Sequence, residues 1–299
     1  MNAMMLGLAL LVAAPPGTAS SPSFGKQVRV GDPITRGNIT VFPLTLREAP
    51  SAPDPLTLDE AVARKQLAIE ESGQGSVNAL AVENRGDRSV VLVTGELLLG
   101  GKQDRIVGRS VVLAPRSKAS VPVFCVEHGR WSGSRSFESA GAMGHVELRK
   151  SALSGDQAAV WSEVARSNAR LETANASDTY RAAARKLGGE TGPLAREIAS
   201  EVARVQGVAG IAVAIDREVV AIEWFNSPGL FERLRDKLVA SYVAQALATP
   251  APVAARPASP PRAAAVADFA GRAEKGDALV DQAREAGAAT PVQTTYLKR

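Results

Sequence analysis

Between Gln66 and Val126 the sequence alternates short Val- and Leu-rich segments with turn residues, and no other feature constrains the fold as strongly. Each segment is too short for a typical helix and is rich in residues that favour strands. The interruptions at residues 84–87, 100–101 and 114–115 contain Asn, Asp, Gly or Pro, which mark turns. The sequence therefore predicts an antiparallel β-meander, which must bury at least one face against other elements.

The rest of the domain is predicted to supply that cover. Thr57 and Glu60 form a capping box at the start of a short helix. Leu230, Leu234 and Leu238 recur at helical spacing and mark the buried face of a final helix. The further predicted elements are a strand at 38–46, helices at 154–173, 179–187 and 194–205, a second hairpin at 208–215 and 218–225, the final helix at 228–247, and flexible loops at 132–134 and around Met143. The expected fold is α+β, a largely antiparallel meander sheet covered by C-terminal helices.

Low-complexity segments are expected on both sides of this domain. The apolar run at residues 4–14 has the length of a signal-peptide core and is too short to span a bilayer. Its presence predicts a periplasmic or secreted protein. The predicted divisions are a signal peptide at 1–20, a flexible leader at 21–37, one α+β domain at 38–247, and an Ala/Pro-rich tail with weak helix at 248–299, whose residues 292–297 either dock as a strand or stay loose.

Composition argues against several classes of function. Lys and Arg (35) nearly balance Asp and Glu (31), and aromatic residues make up only 4%, so nucleic-acid binding is not expected. Like the run at residues 4–14, every other segment is too short or too polar for a membrane span. Cys125 is the single cysteine, and His128 and His145 lack the spacing of metal ligands, so neither a metal site nor a cofactor is predicted.

A set of polar residues between Glu96 and Trp131 carries the chemistry that the sequence offers. If residues 100–101 form a two-residue turn, Glu96 lies opposite Arg105, and the two side chains form a cross-strand ion pair. Arg109 then projects from the same face as Arg105. The candidate ligand-binding residues are Glu96, Lys102, Gln103, Arg105, Arg109, Glu127, Arg130 and Trp131.

Three hypotheses fit these residues. Guanidinium groups bind phosphate and carboxylate bidentately, so the leading one is an exported binding module for a small anionic ligand. The second is a hydrolase of a phosphorylated or ADP-ribose-like substrate, with Glu127 as base and Arg105 and Arg130 holding phosphate. In the third, the charges only lock the sheet of a structural protein. An enzyme requires Glu127, Arg105 and Arg130 in one open pocket, whereas a structural role requires them paired and sealed.

Two motifs, TGELLLGGKQDR at residues 94–105 and VPVFCVEHGRW at 121–131, resemble the family of ARG and rhodanese-phosphatase superfamily-associated protein domains. The resemblance covers most of the chain up to the predicted tail. It implies a nucleotide-linked context, because the family is named for the proteins it accompanies and has no established activity of its own. Asp104 and His128 stand where the family often has Asn and Gln. The positions that match are Glu96, Lys102, Gln103, Arg105, Cys125, Glu127, Gly129, Arg130 and Trp131.

Overall fold

The computed structural model describes residues 23–48, 54–73, 78–248 and 260–299, which form the predicted α+β fold. The strands are β1 (Val28–Val30), β2 (Ile34–Arg36), β3 (Ile39–Leu46), β4 (Leu56–Thr57), β5 (Leu67–Glu71), β6 (Ala79–Asn84), β7 (Val90–Leu92), β8 (Glu96–Gly100), β9 (Arg105–Val107), β10 (Val111–Leu113), β11 (Ser117–Cys125), β12 (Phe137–Met143), β13 (Val208–Ile215), β14 (Glu218–Phe225), β15 (Ala278–Ala283) and β16 (Gln293–Lys298). The helices are α1 (Phe24–Gln27), α2 (Leu58–Ala63), α3 (Val146–Ser154), α4 (Gln157–Arg170), α5 (Arg181–Ala203), α6 (Pro228–Ala248) and α7 (Ala263–Arg272), the last continued by a π-helical turn, Ala273–Asp277.

Five strands of the predicted meander, β5, β6, β8, β9 and β11, join β12 in a six-stranded antiparallel sheet of order β12-β8-β9-β11-β6-β5, while β7 and β10 of the meander lie in a separate sheet. The outer strands of the six-stranded sheet meet where Glu70 bridges to Ser136 and the Glu71 N–H donates to the Arg135 carbonyl at 2.9 Å, so the sheet closes into a barrel. One set of alternate side chains fills the barrel with Leu and Val, and the other packs outward against α3, α4 and α5. The three-stranded sheet β10-β7-β4 adds to the interior core.

The closing strand β12 lies where the sequence predicted a flexible loop. Its residues Ala140, Gly141 and Ala142 have little strand propensity, so the local pattern gives no signal for it. Pairing with β8 imposes the extended conformation instead, with a bulge between Ser139 and Met143. The loop prediction is wrong because a long-range pairing overrides a weak local preference.

A second sheet has seven strands in the order β1-β3-β13-β14-β16-β15, with β2 also pairing β3. Helices α5 and α6 pack on one face, and α1 and α7 pack on the other. The predicted second hairpin is confirmed as β13 and β14, with Asp216 and Arg217 at φ values of 49° and 78° in its two-residue turn. The predicted final helix is α6. Within the described residues, no helix combines the length and the apolar character that crossing a membrane requires.

Both predicted flanking segments need correction. Residues 23–37 of the expected leader form α1, β1 and β2, and residues 260–299 of the expected tail include α7, β15 and β16. Strand β16 lies between β14 and β15, so the docked alternative for residues 292–297 is the right one. Strand β16 forms because it pairs with the edge of β14, and the local composition gives no sign of that pairing. The predicted signal peptide at 1–20 lies outside the described residues.

A buried ion pair joins the two sheets to the helices. The Arg149 guanidinium on α3 donates to both oxygens of Glu223 on β14 at 3.0 and 2.9 Å, and neither side chain is exposed. Arg149 also donates to the Thr94 carbonyl at 3.2 Å, while the Tyr242 hydroxyl on α6 donates to Glu223 at 2.8 Å. Gly95 permits this approach, because a Cβ there would lie 2.5 Å from the Arg149 side chain.

We expect Arg149→Leu to lower the free energy of unfolding by about 3–5 kcal/mol, because it leaves the Glu223 carboxylate buried without its cation. Arg149→Leu combined with Glu223→Leu should recover part of that loss, since no buried charge is then uncompensated. Denaturant unfolding measures both. Arg85→Leu, at an exposed site, is the control and should change stability by no more than ~0.5 kcal/mol. A double variant less stable than the single one would contradict the assignment.

Candidate functional site

The predicted pairing of Glu96 with Arg105 is wrong by two residues of register. Leu98 lies opposite Arg105, and Leu97 lies opposite Ile106. The connection is longer than a two-residue turn, because the Asp104 carboxylate accepts a hydrogen bond from the Gly100 N–H at 3.0 Å and widens the loop. A shift of two residues keeps each side chain on its predicted face but changes its partner.

Glu96 serves to join the barrel to α6. Its carboxylate pairs with Lys237 and accepts the Val93 N–H at 2.7 Å. Lys237 also donates to Asp59 at 2.8 Å. Burial disfavours the Lys237 ammonium, but the two carboxylates outweigh that effect and raise its pKa. Glu96 therefore belongs to a structural contact and not to a ligand site.

Arg105 and Gln103 are sealed. Arg105 has no exposed side-chain surface, and its guanidinium lies in the barrel interior, 3.6 Å from a Glu71 oxygen. It donates to the Gln103 carbonyl at 2.8 Å. The Gln103 amide donates to the His128 carbonyl at 3.2 Å. Both side chains are therefore enclosed, as a structural role requires, and Arg105 Nε and Nη2 and Gln103 Oε1 have no hydrogen-bond partner among the described residues.

Three other predicted residues have separate positions. Arg109 does not join the Arg105 face, because strand β9 ends at Val107. Its side chain is exposed, and its positive charge favours the ionised form of the Asp281 carboxyl group. Trp131 is 53% exposed, and the Lys102 ammonium lies 5.0 Å from its ring centroid. Lys102 and Trp131 thus form a surface contact, while Arg109 is removed from the candidate set.

Glu127 and Arg130, in contrast, line an open cavity of about 370 Å³. We call it the arginine cleft. It is formed by the loop after β8, the segment after β11 and the start of α5, and its lining residues are Gly100, Gly101, Glu127, Arg130, Gly133, Ser134, Thr179 and Arg181.

Arg130 is held rigidly by acceptors from three sides. Its Nε and Nη2 donate to Glu127 Oε2 at 2.9 and 2.7 Å. Its Nη1 donates to the carbonyls of Gly101 and Ser132 at 2.8 and 2.7 Å. Every guanidinium nitrogen thus has an acceptor within the protein. Arg130 shapes the cleft but has few hydrogen-bond donors left for a ligand.

Sequence reasoning missed Arg181 and misjudged Asp104. Arg181 donates from Nε and Nη2 to the two Asp104 oxygens, at 3.0 and 2.8 Å, across a separation of 77 residues. Its Nη1 has no partner among the described residues. Asp104 was singled out only as a departure from the family pattern. No spacing rule connects it to the first residue of a helix so far along the chain.

The charges of the arginine cleft are arranged in layers. The carboxylates of Asp104 and Glu127 are only 2% and 5% exposed, whereas the guanidinium side chains of Arg130 and Arg181 are 28% and 37% exposed. The formal charges cancel, yet the positive groups are those that solvent reaches. The buried carboxylates hold the guanidinium groups in fixed orientations, and the exposed side of those groups can bind an anion.

The same geometry disfavours catalysis by Glu127, Cys125 or His128. Burial opposes ionisation of Glu127, but hydrogen bonds from Arg130 and the Asp104 N–H outweigh it and lower its pKa. Burial raises the pKa of the Cys125 thiol to about 11, which removes its nucleophilic form at neutral pH. His128 is exposed and packs edge-on against Trp161. The described residues include no cluster of three or more His, Cys, Asp or Glu suited to a metal ion.

A family model described as the ARG and Rhodanese-Phosphatase-superfamily-associated Protein domain matches residues 27–296. The match includes the positions of α7 and β15, which agrees with the folded C-terminal region. Neither a curated protein nor a solved structure matches the chain.

We expect Glu127→Gln to destabilise the fold by about 2 kcal/mol near pH 7, because charge-assisted hydrogen bonds to Arg130 are lost. The pKa of Glu127 is lower in the folded chain. Ionised Glu127 therefore stabilises the fold fully above pH ~4.3, the pKa of a glutamate in the unfolded chain. This stabilisation is lost as the pH falls through the pKa of Glu127 in the folded protein. Denaturant unfolding at several pH values should show the two proteins converging below pH ~4. Glu138→Gln, at an exposed residue of β12, is the control. A difference that persists at low pH would contradict the ion-pair account.

Proposed function

We propose that this chain, which belongs to the family of ARG and Rhodanese-Phosphatase-superfamily-associated Protein domains, is a binding module that takes the anionic group of a small ligand in the arginine cleft. The observation that carries the proposal is the layered charge. Arg181 is fixed on Asp104 through one edge of its guanidinium, and its Nη1 has no partner among the described residues. A positioned donor at an open cavity suits a phosphate or carboxylate oxygen.

The rival hypotheses have weaker support. A hydrolase using Glu127 as base needs a carboxylate whose pKa lies near the working pH, whereas the pKa of Glu127 is lowered and its Oε2 is occupied by Arg130. Arg105, which the hydrolase hypothesis assigns to phosphate binding, is completely buried in the barrel. A purely structural role accounts for Arg105 and Glu96 but leaves the exposed edge of Arg181 unexplained.

Removing the buried carboxylate should distinguish binding from mere locking. Asp104→Asn keeps the side-chain shape but takes away a negative charge behind Arg181, so an anion should bind roughly fourfold more tightly, from ~0.8 kcal/mol of Coulomb energy at ~5 Å in water. Arg181→Gln should abolish the binding. Thermal-shift titrations with sugar phosphates, ADP-ribose and dicarboxylates measure both effects, since a ligand that binds only the folded state raises the melting temperature.

The control for these variants is Arg196→Gln, which removes the same charge from a part of α5 that does not line the cleft. It should leave every ligand-induced shift unchanged. If no anion raises the melting temperature of the parent protein or of Asp104→Asn, the charges of the cleft only hold the fold together, and the proposed function is wrong.

The module is proposed to act in the periplasm or outside the cell, because the apolar residues 4–14 have the length of a signal-peptide core. We expect the protein recovered from the periplasm or the medium to begin near residue 20. N-terminal sequencing of that material measures the cleavage site. Replacing Leu8 and Leu10 with Asp should retain the protein in the cytoplasm, and export unaffected by that change would contradict the proposal.

A further inference from the structure

An apolar groove continues from the arginine cleft along the first turns of α5. It consists of two adjoining cavities of about 230 and 310 Å³. Arg181 lines both the arginine cleft and the first cavity. Tyr180 and Ala184 line both cavities of the groove. A ligand anchored at Arg181 can therefore extend into the groove without leaving the surface of the protein.

The walls of the groove are almost entirely hydrocarbon near the cleft. Leu97 and Leu99 of β8 and Ala142 of β12 face it from the outer wall of the barrel, and Ala184 faces it from α5. Small side chains leave room for a chain to lie between the barrel and the helix. Polar groups in this first cavity are confined to its Asp104, Arg181 and Arg185 end and to the Tyr180 ring, whose hydroxyl is bound to His145.

Arg185 supplies the second independent observation. It lines the groove one helical turn after Arg181, and it has no hydrogen-bond or ion-pair partner among the described residues. Two like charges at positions i and i+4 repel each other and weaken a helix unless an anion lies between them. The helix therefore presents two guanidinium groups beside a hydrocarbon surface, and Arg181 alone of the two is paired, through Asp104.

We infer that the ligand of the arginine cleft is an anionic amphiphile, an unbranched acyl carboxylate with its head group at Arg181 and Arg185 and its hydrocarbon chain along the groove. This inference rests on the proposed function and specifies its ligand class. A peptide fits less well in the first cavity, because its backbone N–H and C=O groups would lie against Leu and Ala side chains without partners. From Arg181 to Thr191 the helix rises ~15 Å, which suits a chain of medium length.

Calorimetric titration of the full chain with butyrate, octanoate and dodecanoate, each below its micelle-forming concentration, tests the inference. Each buried methylene contributes ~0.8 kcal/mol, so affinity should rise about fourfold per added methylene until the groove is full. Dodecanol has the same chain without the charge and should bind at least roughly tenfold more weakly, because it loses the charge-assisted hydrogen bonds.

Variants separate the two halves of the site. Arg185→Gln should weaken dodecanoate binding about tenfold, through loss of a charge-assisted bond. Ala184→Phe, and Ala142→Leu on the opposite wall, fill the groove and should reduce the affinity for dodecanoate to that for butyrate. Arg196→Gln lies on the same helix outside these cavities and should change neither. Thermal unfolding without ligand confirms that each variant is folded.

The outcomes are distinct. Affinity that rises with chain length and falls in the groove-filling variants supports the inference. If butyrate and dodecanoate bind equally, the proposed anion site stands and the acyl ligand is wrong. Equal binding of dodecanol and dodecanoate overturns the role of the two arginines. Binding of an acidic apolar peptide without binding of dodecanoate also overturns the inference. Absence of binding by every anion overturns the proposed function as well.

Discussion

The carboxylate of Glu223 has no contact with water, and the assembly of this fold depends on satisfying it. An isolated buried charge costs far more than a typical domain can tolerate, so each element that packs near it must bring a donor. Arg149 comes from α3, Tyr242 from α6 and Thr295 from β16. Because Arg149 also donates to the Thr94 carbonyl, the same contact fixes the barrel against the second sheet. The C-terminal strand is therefore part of the fold and not an appendage.

Two further buried carboxylates fix the arginine side chains of the arginine cleft, where we propose that an anion binds. Asp104 and Glu127 are enclosed, and each accepts two hydrogen bonds from one guanidinium group. Arg130 and Arg181 thereby lose rotamer freedom during folding, so a ligand does not have to order them. Preorganisation of this kind favours binding more than proton transfer, because a carboxylate committed to a guanidinium has a low pKa.

The local sequence pattern predicted helices and strands correctly where their signals are strong. It failed where a strand or a side chain depends on a partner far away in the sequence. The hairpin β13–β14 and helix α6 follow from alternation, turn residues and leucine spacing, and they lie where the sequence placed them. The pairing register of β8 with β9 depends on a hydrogen bond from the Gly100 N–H to the Asp104 side chain, and turn propensities do not predict such a bond. Strands β12 and β16 have weak sequence signals and form because an edge is available. Arg181 joins the site only through the tertiary fold, so the sequence motif alone pointed to Arg105 instead.

Arg181 lines the cleft in place of the predicted Arg105 because side chains alternate between the two faces of a strand. Asp104 and Arg105 are neighbours in one motif, yet successive side chains point to opposite faces of a sheet. Arg105 enters the barrel and meets Glu71, while Asp104 faces outward, where a group from a covering helix neutralises it together with Arg130, whose Nη2 lies 3.4 Å from its Oδ1. The first turn of α5 supplies that group. One motif therefore carries a structural ion pair on its inner face and the base of the proposed binding site on its outer face, and reading the motif as a single cluster merges the two.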